Sequence, residues 1–171
     1  MRRDSLVARP VVGIVVGSES DLPTMKKAVE VLDSLGVPFE MCISSAHRLP
    51  NETYSYACGA RERGLKVLIA GAGMAAHLPG VLAAHTTLPV VGVPLASGAL
   101  KGVDSLYSIV QMPSGIPVAA VAIDGAKNAA YLACQILAAH DESLARRLEE
   151  EREKQRRKLN KRNRELGFIS S

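Results

Sequence analysis

Tryptophan is absent from these 171 residues, and aromatic side chains amount to only 4 %. Modules that grip single-stranded nucleic acid stack bases on exposed rings, so that class is disfavoured. Cysteine is sparse. Cys42, Cys58 and Cys134 form an odd, widely spaced set with no CxxC or CxxH pair. Neither a zinc site nor a disulfide framework is expected, and buried free thiols are the default. The four histidines lack HxxH or HExxH spacing, so no metal site is expected. No GxSxG elbow for a serine hydrolase is present, no P-loop GK[ST], and no GxGxxG dinucleotide fingerprint. Long apolar runs are also missing. The nearest, residues 67–84, is broken by Gly71, Gly73, His77, Pro79 and Gly80, which excludes a membrane span. The opening Met1-Arg2-Arg3-Asp4 leaves too few uncharged residues before Arg9 for a secretory signal. A cytoplasmic protein without a membrane partner is expected.

What remains is 47 % hydrophobic, enough for one domain with a core of Val, Leu, Ile and Ala. The formal charge is +4. From Asp141 onward ten Lys and Arg face seven Asp and Glu, leaving eleven against ten before it. The basicity belongs to the tail, and no nucleic-acid partner is implied.

Strands and helices alternate. Val11-Val12-Gly13-Ile14-Val15-Val16 is a continuous apolar run, as a central parallel strand requires. Met25, Ala28, Val29, Leu32 and Leu35 then recur at helical spacing, with Ser20 or Asp21 as N-cap and Gly36 as stop. The unit repeats. Strands are predicted at 39–43, 67–70, 90–93 and 118–123, with helices at 50–63, 77–84 and 126–140. Asp104 is a candidate cap for a short helix through Val110. This pattern predicts a three-layer, doubly wound parallel sheet of flavodoxin-like α/β class with a projecting C-terminal helix. Residues 1–10 read as a flexible leader, 11–140 as the catalytic domain, and 141–171 as a charged helix and tail. In that tail Glu142 and Arg146, Glu150 and Lys154, and Glu153 and Arg157 stand at i,i+4.

In open α/β sheets ligands bind outside the carboxyl ends of the strands. Three loops reach that edge. The first, Gly17-Ser18-Glu19-Ser20-Asp21, offers free amides, two hydroxyls for an anion, and a carboxylate for ribose hydroxyls. Plain helix capping needs only one of these residues. The second, Ser44-Ser45-Ala46-His47-Arg48, sets an imidazole that titrates near neutrality beside a fixed cationic fork. Alone it would read as a surface turn. The third, residues 71–80, is Gly- and Ala-rich with one histidine, His77. It fits either a ligand lying on backbone amides or close helix–sheet packing. His85 and His140 read as structural.

Taken together, Gly17-Ser18-Glu19-Ser20-Asp21, Ser45-Ala46-His47-Arg48 and the AGAGMAAHLPG run from Ala70 to Gly80 resemble the class I 5-(carboxyamino)imidazole ribonucleotide mutases of purine biosynthesis. Gly92-Val93-Pro94, the segment from Gly102 to Pro113, Asn128-Ala129-Ala130 and Gln135-Ile136-Leu137 extend the resemblance to roughly residues 11–141. Met74, where many members have Gly, and the long charged tail depart from it. The resemblance implies an isomerase that shifts a carboxylate from the exocyclic nitrogen of an imidazole ribonucleotide to C4, with no metal, ATP or organic cofactor. It implies His47 as acid/base. Ser18, Ser20, Ser45 and Arg48 would hold phosphate, and Asp21 the ribose. Gly71, Gly73, Ala75, Ala76, His77 and Leu78 would line the carboxylate pocket. It also implies a homo-octamer, with segment 102–113 and the helix around 131–137 as contacts. The alternatives are a direct carboxylase using carbon dioxide and a non-catalytic nucleotide-binding scaffold.

Overall fold

The structure is a computed structural model that describes residues 9–168. The proposed leader falls largely outside them.

Five parallel strands form one sheet in the order β2-β1-β3-β4-β5. They are β1 (Val12–Val16), β2 (Phe39–Ile43), β3 (Val67–Gly73), β4 (Val90–Leu95) and β5 (Ala119–Ala120). Helices α1 (Leu22–Ser34), α2 (Pro50–Gly59), α3 (Leu78–His85) and α4 (Val103–Val110) connect them, and α5 (Ala126–Ala138) and α6 (Glu142–Glu165) follow. Alternation along the strands splits the core into two layers. Val12, Ile14, Val16, Val67, Ile69, Val91 and Val93 pack with α1 and α5. Val15, Leu68, Ala70, Ala72 and Val90 pack with Ala57 of α2, Leu82 of α3 and Ile109 of α4. Strands buried on both faces must be apolar throughout, which is why they are continuous runs.

Several boundaries differ from the sequence expectation. Strand β3 runs three residues past Ala70, because Gly71, Ala72 and Gly73 pair with Val93, Pro94 and Leu95. Strand β5 shrinks to two residues. The carbonyls of Gly92 and Pro94 both face β5, where they accept from Val121 and Asp124. Pro94 has no N–H to return, so the ladder stops. Helix α2 ends at Gly59 and tightens into turns up to Gly64, whose φ is +100°. Helix α4 starts at Val103 with Gly102 in the N-cap position, and Asp104 Oδ1 accepts from the Ser105 N–H.

Helix α5 buries Ala129, Ala130, Ala133 and Cys134 against the sheet and α1. Helix α6 docks through Leu144 and Leu148, and Gln155 donates to the Tyr131 hydroxyl at 3.2 Å. Leu159 and Leu166, further along, are exposed. Glu142 pairs with Arg146 at 3.7 Å and Glu153 with Arg157 at 3.0 Å, while Lys154 reaches Glu151 rather than Glu150. Cys134 is buried and Cys42 half-buried, and burial pushes both thiols up to about 11. Cys58 is exposed. No helix of the described residues is long and apolar enough to cross a membrane.

Candidate active site

The chain leaves β1 toward β2 and later returns to β1's other side as β3. Crossovers therefore diverge between β1 and β3, and the loops that follow them part to open a crevice. A cleft of about 500 Å³ lies there. Its walls come mainly from the loops after β1, β2 and β3, with Ser97 added from the loop after β4.

The loop ends are tied to one another. The Gly17 N–H donates to Gly71 O at 3.3 Å, and Ser44 N–H to Val16 O at 2.8 Å. Behind the β2 loop, Thr53 Oγ1 donates to Leu49 O at 2.9 Å and lies 2.7 Å from Ser44 Oγ. Thr53 has one hydroxyl proton, so Ser44 donates to it. Both are buried. This pair, with the Leu49 N–H on Ser45 O at 2.7 Å, fixes the tight turn that presents His47 and Arg48.

Arg48 reaches across to the first loop. Its Nη2 donates to Gly17 O at 3.1 Å and its Nε to Ser45 Oγ at 3.4 Å. Ser20 Oγ donates to Ser18 Oγ at 3.0 Å. Ser18 caps the 3-10 turn Glu19–Asp21, and Asp21 makes no side-chain cap bond. The capping side chain is thus Ser18 rather than the expected Ser20 or Asp21, and both of those line the cleft. Burial raises the Asp21 carboxyl above its ordinary value, opposed by hydrogen bonds from Ser18 and Ser20 and by the Arg48 charge.

Opposite stands the third loop. His77 occupies the N-cap position of α3 without a capping side-chain bond. Its ring is free to meet His47, and Nδ1 of His77 hydrogen-bonds Nε2 of His47. The ring centroids are 4.6 Å apart, inclined at 66°. The turn before it is strained, with Met74 at φ +56° and Ala76 at φ +40°. A left-handed residue bearing a Cβ costs roughly 1–2 kcal/mol.

Of the residues expected here, Ser18, Ser20, Asp21, Ser45, His47, Arg48, Gly73, Ala75, Ala76, His77 and Leu78 line the cleft. Gly71 does not. A Cβ there would fall 2.6 Å from Met25 Sδ, so this glycine serves helix–sheet packing. Gly73 lines the cleft and also lets Ser97 approach, since its Cβ would fall 1.9 Å from Ser97 Oγ. The two readings of the glycine run therefore divide by residue. Ser97 was missed. It sits in the β4–α4 loop, where no local pattern marks it. His85 meets Tyr54 edge-on at a 4.8 Å centroid distance, away from the cleft, and His140 is exposed. Among the described residues no three His, Cys, Asp or Glu side chains gather as a metal would need.

A crevice at the switch point of a 2-1-3-4-5 sheet, lined by Arg48 and serine hydroxyls and crossed by the His47–His77 pair, defines a doubly wound α/β protein. The chain belongs to the AIR carboxylase family, which it matches over residues 11–158. It is 64 % identical over 129 residues to the N5-carboxyaminoimidazole ribonucleotide mutase of Pyrococcus horikoshii, covering 75 % of this chain and 73 % of that protein. The enzyme of the same name from Bacillus subtilis is 61 % identical over 147 residues, covering 85 % and 91 %. A crystal structure of Treponema denticola PurE superposes with a TM-score of 0.83 at 29 % identity, covering 92 % of this chain and 99 % of that one.

Proposed function

We propose that this chain is an isomerase of purine biosynthesis that moves a carboxylate from the exocyclic nitrogen of an aminoimidazole ribonucleotide to ring carbon C4. The observation that carries the mechanism is the placement of His47 between the Arg48 anion site and the His77 loop.

Arg48, Ser18, Ser20 and Ser45 hold the phosphate, and Asp21 accepts from ribose hydroxyls. That leaves the imidazole ring over the cleft between His47 and residues 73–78. Cleaving the N–carboxylate bond needs a proton at nitrogen, and forming the C4 bond releases one from carbon. One imidazole within reach of both atoms supplies and recovers it, a role worth about 10²–10⁴-fold. Holding carbon dioxide beside C4 replaces a bimolecular encounter with a local one. The residues invoked call for no metal, ATP or organic cofactor.

The subunit exposes Leu100, Val103, Tyr107 and Val110 on and beside α4. A stripe of this kind supports assembly through segment 102–113, and an octamer is the proposed state. Light scattering then gives about eight times the 18.2 kDa subunit mass. The deciding assay offers the N-carboxylated ribonucleotide to the full-length protein without ATP or bicarbonate. The C4-carboxylated product should form. If it forms only from the uncarboxylated amine plus bicarbonate, the protein is a direct carboxylase instead.

A further inference from the structure

Met74 stands on the rim of the cleft, 60 % exposed. Its backbone sits at φ +56°, where glycine would be at ease. A large side chain kept at such a position inside a ligand cleft points to work done by that side chain. Met74 Cγ lies 3.7 Å from where a Cβ on Gly98 would be, so its arm rests against the β4–α4 loop. One residue earlier, Gly73 packs closely on Ser97 of the same loop. Both loops contribute to the cleft wall, and these two contacts join them.

We propose that in this chain the Met74 side chain lengthens the stay of carbon dioxide in the cleft between the two half-reactions. This rests on the carboxyl-shift reading above. When the N–carboxylate bond breaks, its electron pair stays on nitrogen, which takes a proton from His47, and carbon dioxide is set free. In productive turnover the C4 electron pair attacks that carbon dioxide and the C4 proton returns to the imidazole. In the leak, carbon dioxide escapes and the protein releases the uncarboxylated amine ribonucleotide. Carbon dioxide has no charge and no net dipole, so neither Arg48 nor the loop amides can tether it strongly. Occlusion by the cleft walls governs how long it stays, and the Met74 arm adds to one of them. A methionine, with three rotatable bonds and a polarizable sulfur, can admit a ribonucleotide and then fill the gap beside Gly98.

The test uses the full-length protein and substrate carrying carbon-13 in its N-carboxylate, in buffer containing unlabelled bicarbonate. Two quantities are read after subtracting enzyme-free decay: label retained in the C4 product, and amine released per product formed. Met74→Ala keeps the Cβ and its backbone strain but removes the arm. Amine released per product should rise about fivefold, the scale of losing one side chain's contacts, with label retention falling in step. Met74→Leu should restore both. An unchanged partition in Met74→Ala, or a leak in Met74→Leu as large as in Met74→Ala, overturns the proposal. Failure of the underlying reading looks different: the wild-type protein then makes no C4-carboxylated product, or makes only unlabelled product from released amine and bicarbonate.

Discussion

Nε2 of His47 and Nδ1 of His77 meet across the cleft, although 30 residues separate them in the chain. A hydrogen bond between two imidazole nitrogens needs one bearing the proton and one bare. The pair therefore shares a single proton between two positions, which is what the proposed carboxyl shift would draw on.

Replacing His47 with Asn keeps a polar group of similar reach but removes acid/base capacity. Turnover should fall about 10²–10⁴-fold, while a ribonucleotide analogue still binds within a few-fold in calorimetry. Near-wild-type turnover would remove His47 from the mechanism.

Arg48→Ala removes a charged donor that already spans two loops. Affinity for phosphate-bearing ligands should drop by about 1.5–3 kcal/mol, with the corresponding nucleoside much less affected. Equal losses for both ligands would mean that Arg48 braces the loops rather than clamping phosphate.

Asp21 carries a signed pH dependence. Its carboxyl is raised in the folded protein, chiefly by burial, so the folded state holds that proton more tightly than the unfolded chain. Its contribution to stability is most favourable below the unfolded value near 3.8 and declines as pH rises through the raised folded value. Asp21→Asn should melt higher than wild type at pH 7, and the gain should vanish as pH falls toward 3.8. A gain of constant size at every pH would contradict the burial penalty.

Thr53→Val keeps volume but deprives the buried Ser44 hydroxyl of its partner and leaves the Leu49 carbonyl with only the Thr53 backbone N–H. Stability should fall by about 1–3 kcal/mol in urea titrations. The turn carrying His47 should loosen too, lowering kcat more than it raises KM. A stability loss with kcat intact would show that the turn holds without this pair.

Gly71→Ala tests the division of labour in the glycine run. Its Cβ would overlap Met25 Sδ and Cγ, at 2.6 and 2.9 Å. Overpacking should cost about 1–3 kcal/mol in thermal or chemical denaturation, leaving ligand affinity unchanged at temperatures where the protein is folded. Affinity lost with stability intact would return Gly71 to the cleft.

The alternation of apolar runs with amphipathic helices settled the layer architecture, because a strand buried on both faces must be apolar at every position. Glycine and serine spacing at the strand ends likewise settled which loops carry polar groups, since such residues are costly inside strands and helices. Strand order was not written locally. It depends on which faces bury each other once all the helices are present, and it alone opens the crevice between β1 and β3. The truncation of β5 needed Pro94 placed beside it. The split roles of Gly71 and Gly73, the lining by Ser97, the contact of His47 with His77 and the reach of Met74 to Gly98 all join residues distant in sequence. Side-chain chemistry is fixed by the chain, but proximity between loops exists only after the sheet has brought its strand ends to one edge.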